Sequence, residues 1–207
     1  MLLPFFYRFL GLRKSVLLYS LTILLVIGFG LVPLNSNNIL NFKESLSLYF
    51  DVFEFNSFIV HYCIQFGIAE YGWQIAKTYG LFFSQVIIMI VLTLALYGQI
   101  PDWKTLFKRM TLAFFVYLIL SNSIHPWYII PLIGISLFTT YSFPLIWSFL
   151  IFFTYLFYYY NDGDAVPVRI MITLEYFIVF AVFIYELVKK RSIIKILSLE
   201  NFMLKGS

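Results

Sequence analysis

The sequence predicts an all-α integral membrane protein, a polytopic transmembrane helical bundle of about six spans with an outer amphipathic helix between spans 1 and 2. The chain has 207 residues, of which 62% are hydrophobic, 22% aromatic and only 12% charged. A soluble domain usually carries about a quarter charged residues. The apolar residues also cluster into separate blocks of roughly transmembrane length, and the basic residues lie beside them on one predicted side. These observations predict a single integral membrane domain, residues 1–207.

Six apolar blocks predict the spans, and the absence of water in hydrocarbon requires each of them to be helical. The first block follows several basic residues and lacks a cleavage pattern, which indicates a retained anchor helix. The third and fourth blocks are short for about 30 Å of hydrocarbon, so they are either two tilted helices or a re-entrant pair. In order, the blocks are Val16 to Leu34, Leu81 to Leu96, Met110 to Ile124, Trp127 to Thr140, Phe143 to Tyr160 and Ile170 to Val188.

The positions of lysine and arginine predict the orientation, because positively charged loops remain in the cytoplasm. Only Lys43, Lys77 and Arg169 fall on the predicted outer side. This split predicts that both termini lie on the cytoplasmic side of a plasma or inner membrane. The other eleven of the fourteen basic residues are Arg8, Arg13, Lys14, Lys104, Lys108, Arg109, Lys189, Lys190, Arg191, Lys195 and Lys205.

Several classes of function lack support in the sequence. The basic residues form no patch with interleaved aromatics, which makes nucleic acid an unexpected partner. Cys63, His61 and His125 are too few soft ligands for a structural zinc site, and a single cysteine forms no intrachain disulfide. No phosphate-binding glycine loop, nucleophile elbow or paired-histidine metal helix is present.

The longest outer segment contains a helical periodicity from Tyr49 to Phe66. It predicts a helix at the membrane surface or across the spans. Its acids either solvate one face or point into a cavity beneath the helix, and the amide of Asn56 needs a hydrogen-bond partner among aromatics. One predicted arc holds Asp51, Glu54, His61 and Gln65, and the opposite side holds Val52, Phe55, Ile59, Tyr62, Cys63 and Phe66.

The run from His125 to Tyr128 joins the third and fourth blocks. Pro126 does not continue the preceding helix but favours the start of the next one, and Trp127 and Tyr128 suit a membrane interface. A capped turn with an aromatic anchor explains this run. Alternatively, His125 donates to a phosphate or shuttles a proton.

Four further acids have both a plain and a functional interpretation. Asp162 and Asp164 flank a glycine as in an ordinary turn, or help to hold a divalent cation such as magnesium or manganese. Glu175 lies near the outer boundary of the last span, where it pairs with a base or reaches water. Glu186 precedes Lys189 and Lys190 by three and four residues, which predicts a local ion pair.

Two tetrapeptides carry a resemblance to a known family: Phe53-Glu54-Phe55-Asn56 and His125-Pro126-Trp127-Tyr128. Over roughly Asn35 to Tyr160, the chain resembles the later part of polytopic type C (GT-C) glycosyltransferases, particularly mannosyltransferases that use polyprenyl-phosphate sugars. Members of that family are all-helical and bind the lipid-linked donor from within the membrane. They transfer the sugar on the non-cytoplasmic side, where the charge count independently places both tetrapeptides.

The chain departs from this family in one respect. Family members carry an acidic motif in an early outer loop, whose carboxylate acts as the base on the acceptor hydroxyl. Here Asp51 and Glu54 do not occupy the equivalent place, and Asp162 and Asp164 come too late. We therefore expect a truncated or split member that retains donor-binding parts, with a partner subunit supplying the missing N-terminal part.

The resemblance implies roles for particular residues within the lipid bilayer. His125 and Arg169 are expected to contact the donor phosphate, Trp127 and Tyr128 to line the polyprenyl or sugar path, and Asn56 with Glu54 to bind sugar hydroxyls. The catalytic candidates are Glu54, Asp51 and His125. The alternatives are a transport or accessory membrane protein without catalytic activity, and a structural partner of a separate catalytic subunit.

Overall fold

The computed structural model describes residues 2–30, 41, 55–71, 75–160 and 166–189. Over these residues the chain is mainly helical, and its only extended pairing is an isolated bridge, so the all-α prediction is confirmed for this part. Two 3-10 turns, Pro126–Tyr128 and Ile151–Tyr155, lie between helices. The helices are α1 (Leu3–Leu10), α2 (Leu12–Gly30), α3 (Ile59–Tyr71), α4 (Ile75–Leu96), α5 (Trp103–Ile119), α6 (Ile129–Ser136), α7 (Phe143–Leu150), α8 (Leu156–Tyr160) and α9 (Val166–Lys189).

Three helical stretches in the described residues are long and apolar enough to cross a membrane. They are Tyr79–Leu96, Phe143–Tyr160 and Val166–Lys189, and they coincide with the second, fifth and sixth predicted spans. The first predicted span corresponds to α2, although its last residues, 31–34, lie outside the described residues. The structure therefore defines a helical protein with three candidate spans, and it does not confirm the count of six.

The helices at the third and fourth predicted spans have other bounds than the sequence predicted, and α6 ends at Ser136 rather than at Thr140. Helix α5 begins at Trp103 and ends at Ile119, so the predicted span to Ile124 is wrong at both ends. Asp102 starts this helix by accepting a 2.6 Å hydrogen bond from the Thr105 backbone N–H, a typical N-cap. The Phe107 and Phe138 rings stack with their centroids 4.5 Å apart, which brings the end of the α6 segment back to the level where α5 begins.

Within its described part, the predicted amphipathic helix from Tyr49 to Phe66 is confirmed from Ile59 onward and is wrong before that residue. The helix starts only at Ile59, because Phe55 is extended and Asn56 has a positive φ of 51°. Its two predicted faces do not separate by burial: His61 and Phe55 are both buried, and Gln65 and Phe66 are both exposed, although each pair takes one residue from each face.

Two hydrophobic clusters hold the described helices together, and α5 contributes to both. One cluster joins α1, α4 and α5 through Phe5, Val91 and Leu106. The other packs α5, α6, α7 and α9 around the fully buried side chains of Trp147 and Tyr176. Helix α5 therefore lies between the two clusters and packs against both.

At one end of the bundle, arginine side chains donate hydrogen bonds to backbone carbonyl groups, and we call these contacts the arginine caps. Arg109 donates to the carbonyl oxygens of Leu94, Tyr97 and Gln99, which close the last turn of α4 and the loop after it. Arg8 donates to the carbonyl oxygen of Gly98 in the same loop, at 3.3 and 3.4 Å. These guanidinium groups satisfy carbonyl groups that a helix end leaves without an internal partner.

Glu186 has a role at this end that its sequence neighbours did not indicate. Its buried carboxylate accepts hydrogen bonds from the backbone N–H groups of Ser142 and Phe143, and from the Ser142 hydroxyl. These donors form the N-terminus of α7, where a negative charge is favourable. The predicted ion pair with Lys190 lies outside the described residues, and the capping contact explains why this acid is buried.

Candidate functional site

Phe55 and Asn56, the described half of the first tetrapeptide, lie beside the second tetrapeptide at the end of the bundle opposite to the arginine caps. The backbone N–H of Phe55 donates to the Asn122 carbonyl oxygen at 3.1 Å, and the N–H of Ile124 donates to the Phe55 carbonyl oxygen at 2.8 Å. This short parallel pairing, between Phe55 and Ser123, satisfies backbone groups that no helix contains. It fixes the segment before α3 against the loop after α5.

Three aromatic rings form a stack beside this pairing. The His125 ring lies between Phe55, with centroids 4.5 Å apart, and Trp127, with centroids 4.4 Å apart and planes inclined by only 4°. Tyr128 meets the His125 ring edge-on at 5.5 Å. His125 is buried, while Trp127 is 52% exposed. Because both faces of the imidazole are covered, only its edge is left for hydrogen bonding.

His125 precedes the turn that opens with Pro126, between the helical segments, and its burial has an electrostatic consequence. Removing the imidazole from water lowers the pKa of His125 below its ordinary value, because the charged form loses its hydration. Burial therefore favours the neutral form of the ring. A neutral imidazole keeps one N–H donor and one nitrogen acceptor.

Asn56 connects the same segment to the core of the bundle. Its left-handed backbone conformation is one that asparagine tolerates better than most residues. Its side-chain Nδ2 donates to Glu175 Oε1 at 3.1 Å, and its carbonyl oxygen accepts from the Tyr176 hydroxyl at 2.8 Å. Trp147 Nε1 donates to the same Glu175 oxygen at 2.7 Å. Glu175, which belongs to α9, is thus hydrogen-bonded to the segment before α3 and to α7.

The structure brings some of the predicted site residues together. Asn56, His125, Trp127 and Tyr128 lie at one end of the bundle, connected through Phe55. Arg169 is in the first turns of α9, six residues before Glu175 on the same helix. Its predicted phosphate contact stays a prediction.

Other predicted residues are not placed by the structure. Asp51, Glu54, Asp162 and Asp164 lie outside the described residues. Across residues 2–30, 41, 55–71, 75–160 and 166–189, no group of three or more His, Cys, Asp and Glu side chains is arranged to hold a metal ion. The predicted magnesium or manganese site at Asp162 and Asp164 therefore remains a prediction.

Sequence reasoning missed the partners of Glu175. It expected a base or water, but the carboxylate is 1% exposed and accepts hydrogen bonds from an indole and an amide. A signal was present, because Trp147 is the only indole within the predicted fifth span and its N–H needs an acceptor when buried. Matching polar groups between apolar helices, rather than along one helix, would have paired it with Glu175.

At this point the fold and the site define a helical protein with three candidate spans and an aromatic and polar cluster at one end. Comparison with protein-family models, with curated proteins and with solved structures gives no match.

Proposed function

We propose that this protein is a membrane glycosyltransferase of the mannosyltransferase type, acting on a polyprenyl-phosphate sugar at the non-cytoplasmic face. One observation carries the proposal. The two tetrapeptides that resemble the type C family are separated by about seventy residues in the sequence, yet the Phe55 backbone is paired with Ser123 and its ring is stacked on His125. A shared donor site requires this proximity, and nothing in the hydrophobic pattern of either segment alone would produce it.

The chemistry assigns a step to each part of such a site. The acceptor hydroxyl oxygen attacks the anomeric carbon of the sugar, the bond from that carbon to the phosphate oxygen breaks, and the polyprenyl phosphate leaves with the electron pair. A base takes the hydroxyl proton, and a hydrogen-bond donor stabilises the departing phosphate. The imidazole edge of His125 and the guanidinium of Arg169 are the donors proposed for the phosphate.

The remaining residues position the donor. The exposed face of Trp127, held parallel to His125, provides a flat surface for a sugar ring or an isoprene unit. Tyr128 stands at right angles to the imidazole and closes one side. Glu54 precedes Phe55 directly in the sequence and is the proposed base, with Asp51 as the alternative.

A second candidate function is donor binding without catalysis, as an accessory subunit of a separate transferase. It is favoured by the state of Glu175, the buried acid next to the paired segment. Its Oε1 is already engaged by Asn56 and Trp147, and the carboxylate is 1% exposed, so it does not serve as a base for an acceptor hydroxyl. In this case, transfer would require a second polypeptide.

A transfer assay with matched tryptophan variants tests the first function. Membranes containing Trp127→Ala are compared with membranes containing Trp103→Ala. The two tryptophans are similarly exposed, at 52% and 53%, but Trp103 begins α5 whereas Trp127 follows the loop after α5. Loss of one aromatic stacking contact, worth about 0.5–1.5 kcal/mol, lowers sugar transfer by roughly two- to twelvefold in Trp127→Ala only. Equal rates in both variants would contradict the proposal.

His125→Ala extends the assay to the phosphate contact. A hydrogen bond to a charged group contributes about 1.5–3 kcal/mol, which corresponds to roughly a 10- to 150-fold lower transfer rate. The control is His61→Ala, since His61 is buried in α3 outside the ring stack. Purification in mild detergent separates the two functions: transfer by the isolated chain supports the enzyme, whereas transfer only in the presence of a co-purifying polypeptide supports the accessory subunit.

A further inference from the structure

Two oxygen atoms on either side of one buried hydrogen bond are without a donor. Asn56 Nδ2 donates to Glu175 Oε1, but Asn56 Oδ1 and Glu175 Oε2 are both buried and receive no hydrogen bond from the described residues. Both residues are almost completely buried, at 4% and 1% exposure. Buried oxygen acceptors that receive no hydrogen bond destabilise a fold. A native site of this kind therefore needs an occupant.

The charge of the carboxylate indicates the kind of occupant. Within the described residues, the contacts of Glu175 are an amide, an indole and the neighbouring Tyr176 ring, and none of them carries a positive charge. Glu175 also lies inside a candidate membrane span, where an uncompensated anion is very unfavourable. The occupant that removes both problems is a cation.

Glu186 provides an internal comparison. It is buried to the same extent, but both of its oxygens accept backbone N–H groups at the N-terminus of α7. That environment stabilises an anion without a cation. Burial alone therefore does not require a bound cation. At Glu175 the cation is required because Oε2 receives no hydrogen bond from the described residues.

We propose that Glu175 Oε2 and Asn56 Oδ1 form a binding site for one small monovalent cation, either a proton or a sodium ion. Both oxygens are enclosed by protein, which excludes any larger ligand without rearrangement. A proton on Oε2 would donate to Oδ1 and satisfy both atoms at once, and carboxylate and amide oxygens are also suitable ligands for a hard cation. Its occupation stabilises the attachment of the paired segment to α9.

Two measurements on the purified protein in detergent distinguish the cations. The first is infrared absorption at pH 7, where a bound proton gives a protonated-carboxyl band in the wild type that is absent in Glu175→Gln. The second is the unfolding midpoint in sodium chloride compared with choline chloride, where bound sodium gives a higher midpoint in the wild type and no difference in Glu175→Gln. Either result supports the site and identifies its occupant.

The control and the second variant keep the test decisive. Glu186→Gln retains the wild-type band or the wild-type sodium dependence, because its carboxylate is not part of the site. Asn56→Gly keeps a left-handed backbone while removing Oδ1, so it weakens the sodium dependence or shifts the carboxyl band even if Glu175→Gln does not fold. A wild-type protein with neither a protonated-carboxyl band nor a sodium-dependent midpoint overturns the proposal.

Discussion

Replacing Trp147 by phenylalanine tests the polar contact that joins α7 to α9. The substitution removes the indole N–H that donates to Glu175 Oε1 at 2.7 Å, and leaves that oxygen with Asn56 alone. Hydrogen bonds between membrane helices contribute about 0.6 kcal/mol on average and up to about 1.7 kcal/mol. Trp147 is fully buried, and losing two of its ring carbons costs roughly a further 1–2 kcal/mol. Trp147→Phe should therefore lower the free energy of unfolding by about 2–4 kcal/mol.

Unfolding by SDS titration in mixed micelles, followed by circular dichroism, measures this change. Trp103→Phe is the control, because Trp103 is 53% exposed and its described contacts are with aromatic rings, and it should lose less than about 1 kcal/mol. A double-mutant cycle with Glu175→Gln separates the hydrogen bond from the packing. A coupling energy of zero, or equal losses in both tryptophan variants, would refute the contact between Trp147 and Glu175.

Three further predictions concern the caps and the histidine. Arg109→Gln should destabilise the protein by about 1–2 kcal/mol in the same titration, because the carbonyl groups at the end of α4 lose a charged donor. The control is Lys104→Gln, which changes an exposed side chain and should have almost no effect on stability. Equal effects of the two substitutions would contradict the role of Arg109 as a cap. Ser142→Ala should lower stability by about 1 kcal/mol by removing a donor to Glu186, and a variant as stable as the wild type would argue against this contact. Because burial lowers the pKa of His125, the unfolded chain binds a proton more readily than the folded protein below about pH 6.5. The stability of the wild type should therefore fall between pH 7 and pH 5.5, and that of His125→Gln should fall less steeply. Parallel stability profiles would show that His125 does not cause the pH dependence.

The long apolar helices were predictable from the sequence alone. The runs that end at Leu96, Tyr160 and Val188 have the length and composition that hydrocarbon requires, and no tertiary contact is needed to explain them. The start of α6 was also predictable, because Pro126 lacks a backbone N–H and favours the first position of a helical turn.

The segment around Asn56 was not predictable in the same way. Its spacing of polar and apolar residues fits a helix through Phe55, but the structure extends this residue because its backbone pairs with Asn122 and Ile124, which lie far away in the sequence. Helical periodicity carries no information about such a partner. The same limit applies to Glu186, where two lysines nearby in sequence suggested an ion pair while the N-terminus of α7 supplied the buried donors.

The polarity of α3 illustrates a second limit. The helical spacing placed His61 and Phe66 on opposite faces of one helix, but it does not determine which face is buried. Burial depends on the elements packed around the helix, and the spacing alone does not specify them. His61 is therefore buried while Gln65, on the same predicted face, is exposed.

The location of the paired tetrapeptides on the non-cytoplasmic side is the central claim, and cysteine labelling in intact cells tests it most directly. In a Cys63→Ser background, Trp127→Cys reports the end with the ring stack and Lys104→Cys reports the end with the arginine caps. A membrane-impermeant maleimide should label Trp127→Cys in intact cells and Lys104→Cys only after permeabilisation. Labelling of Lys104→Cys in intact cells, with Trp127→Cys protected, would contradict the claim and remove the basis for extracytoplasmic sugar transfer.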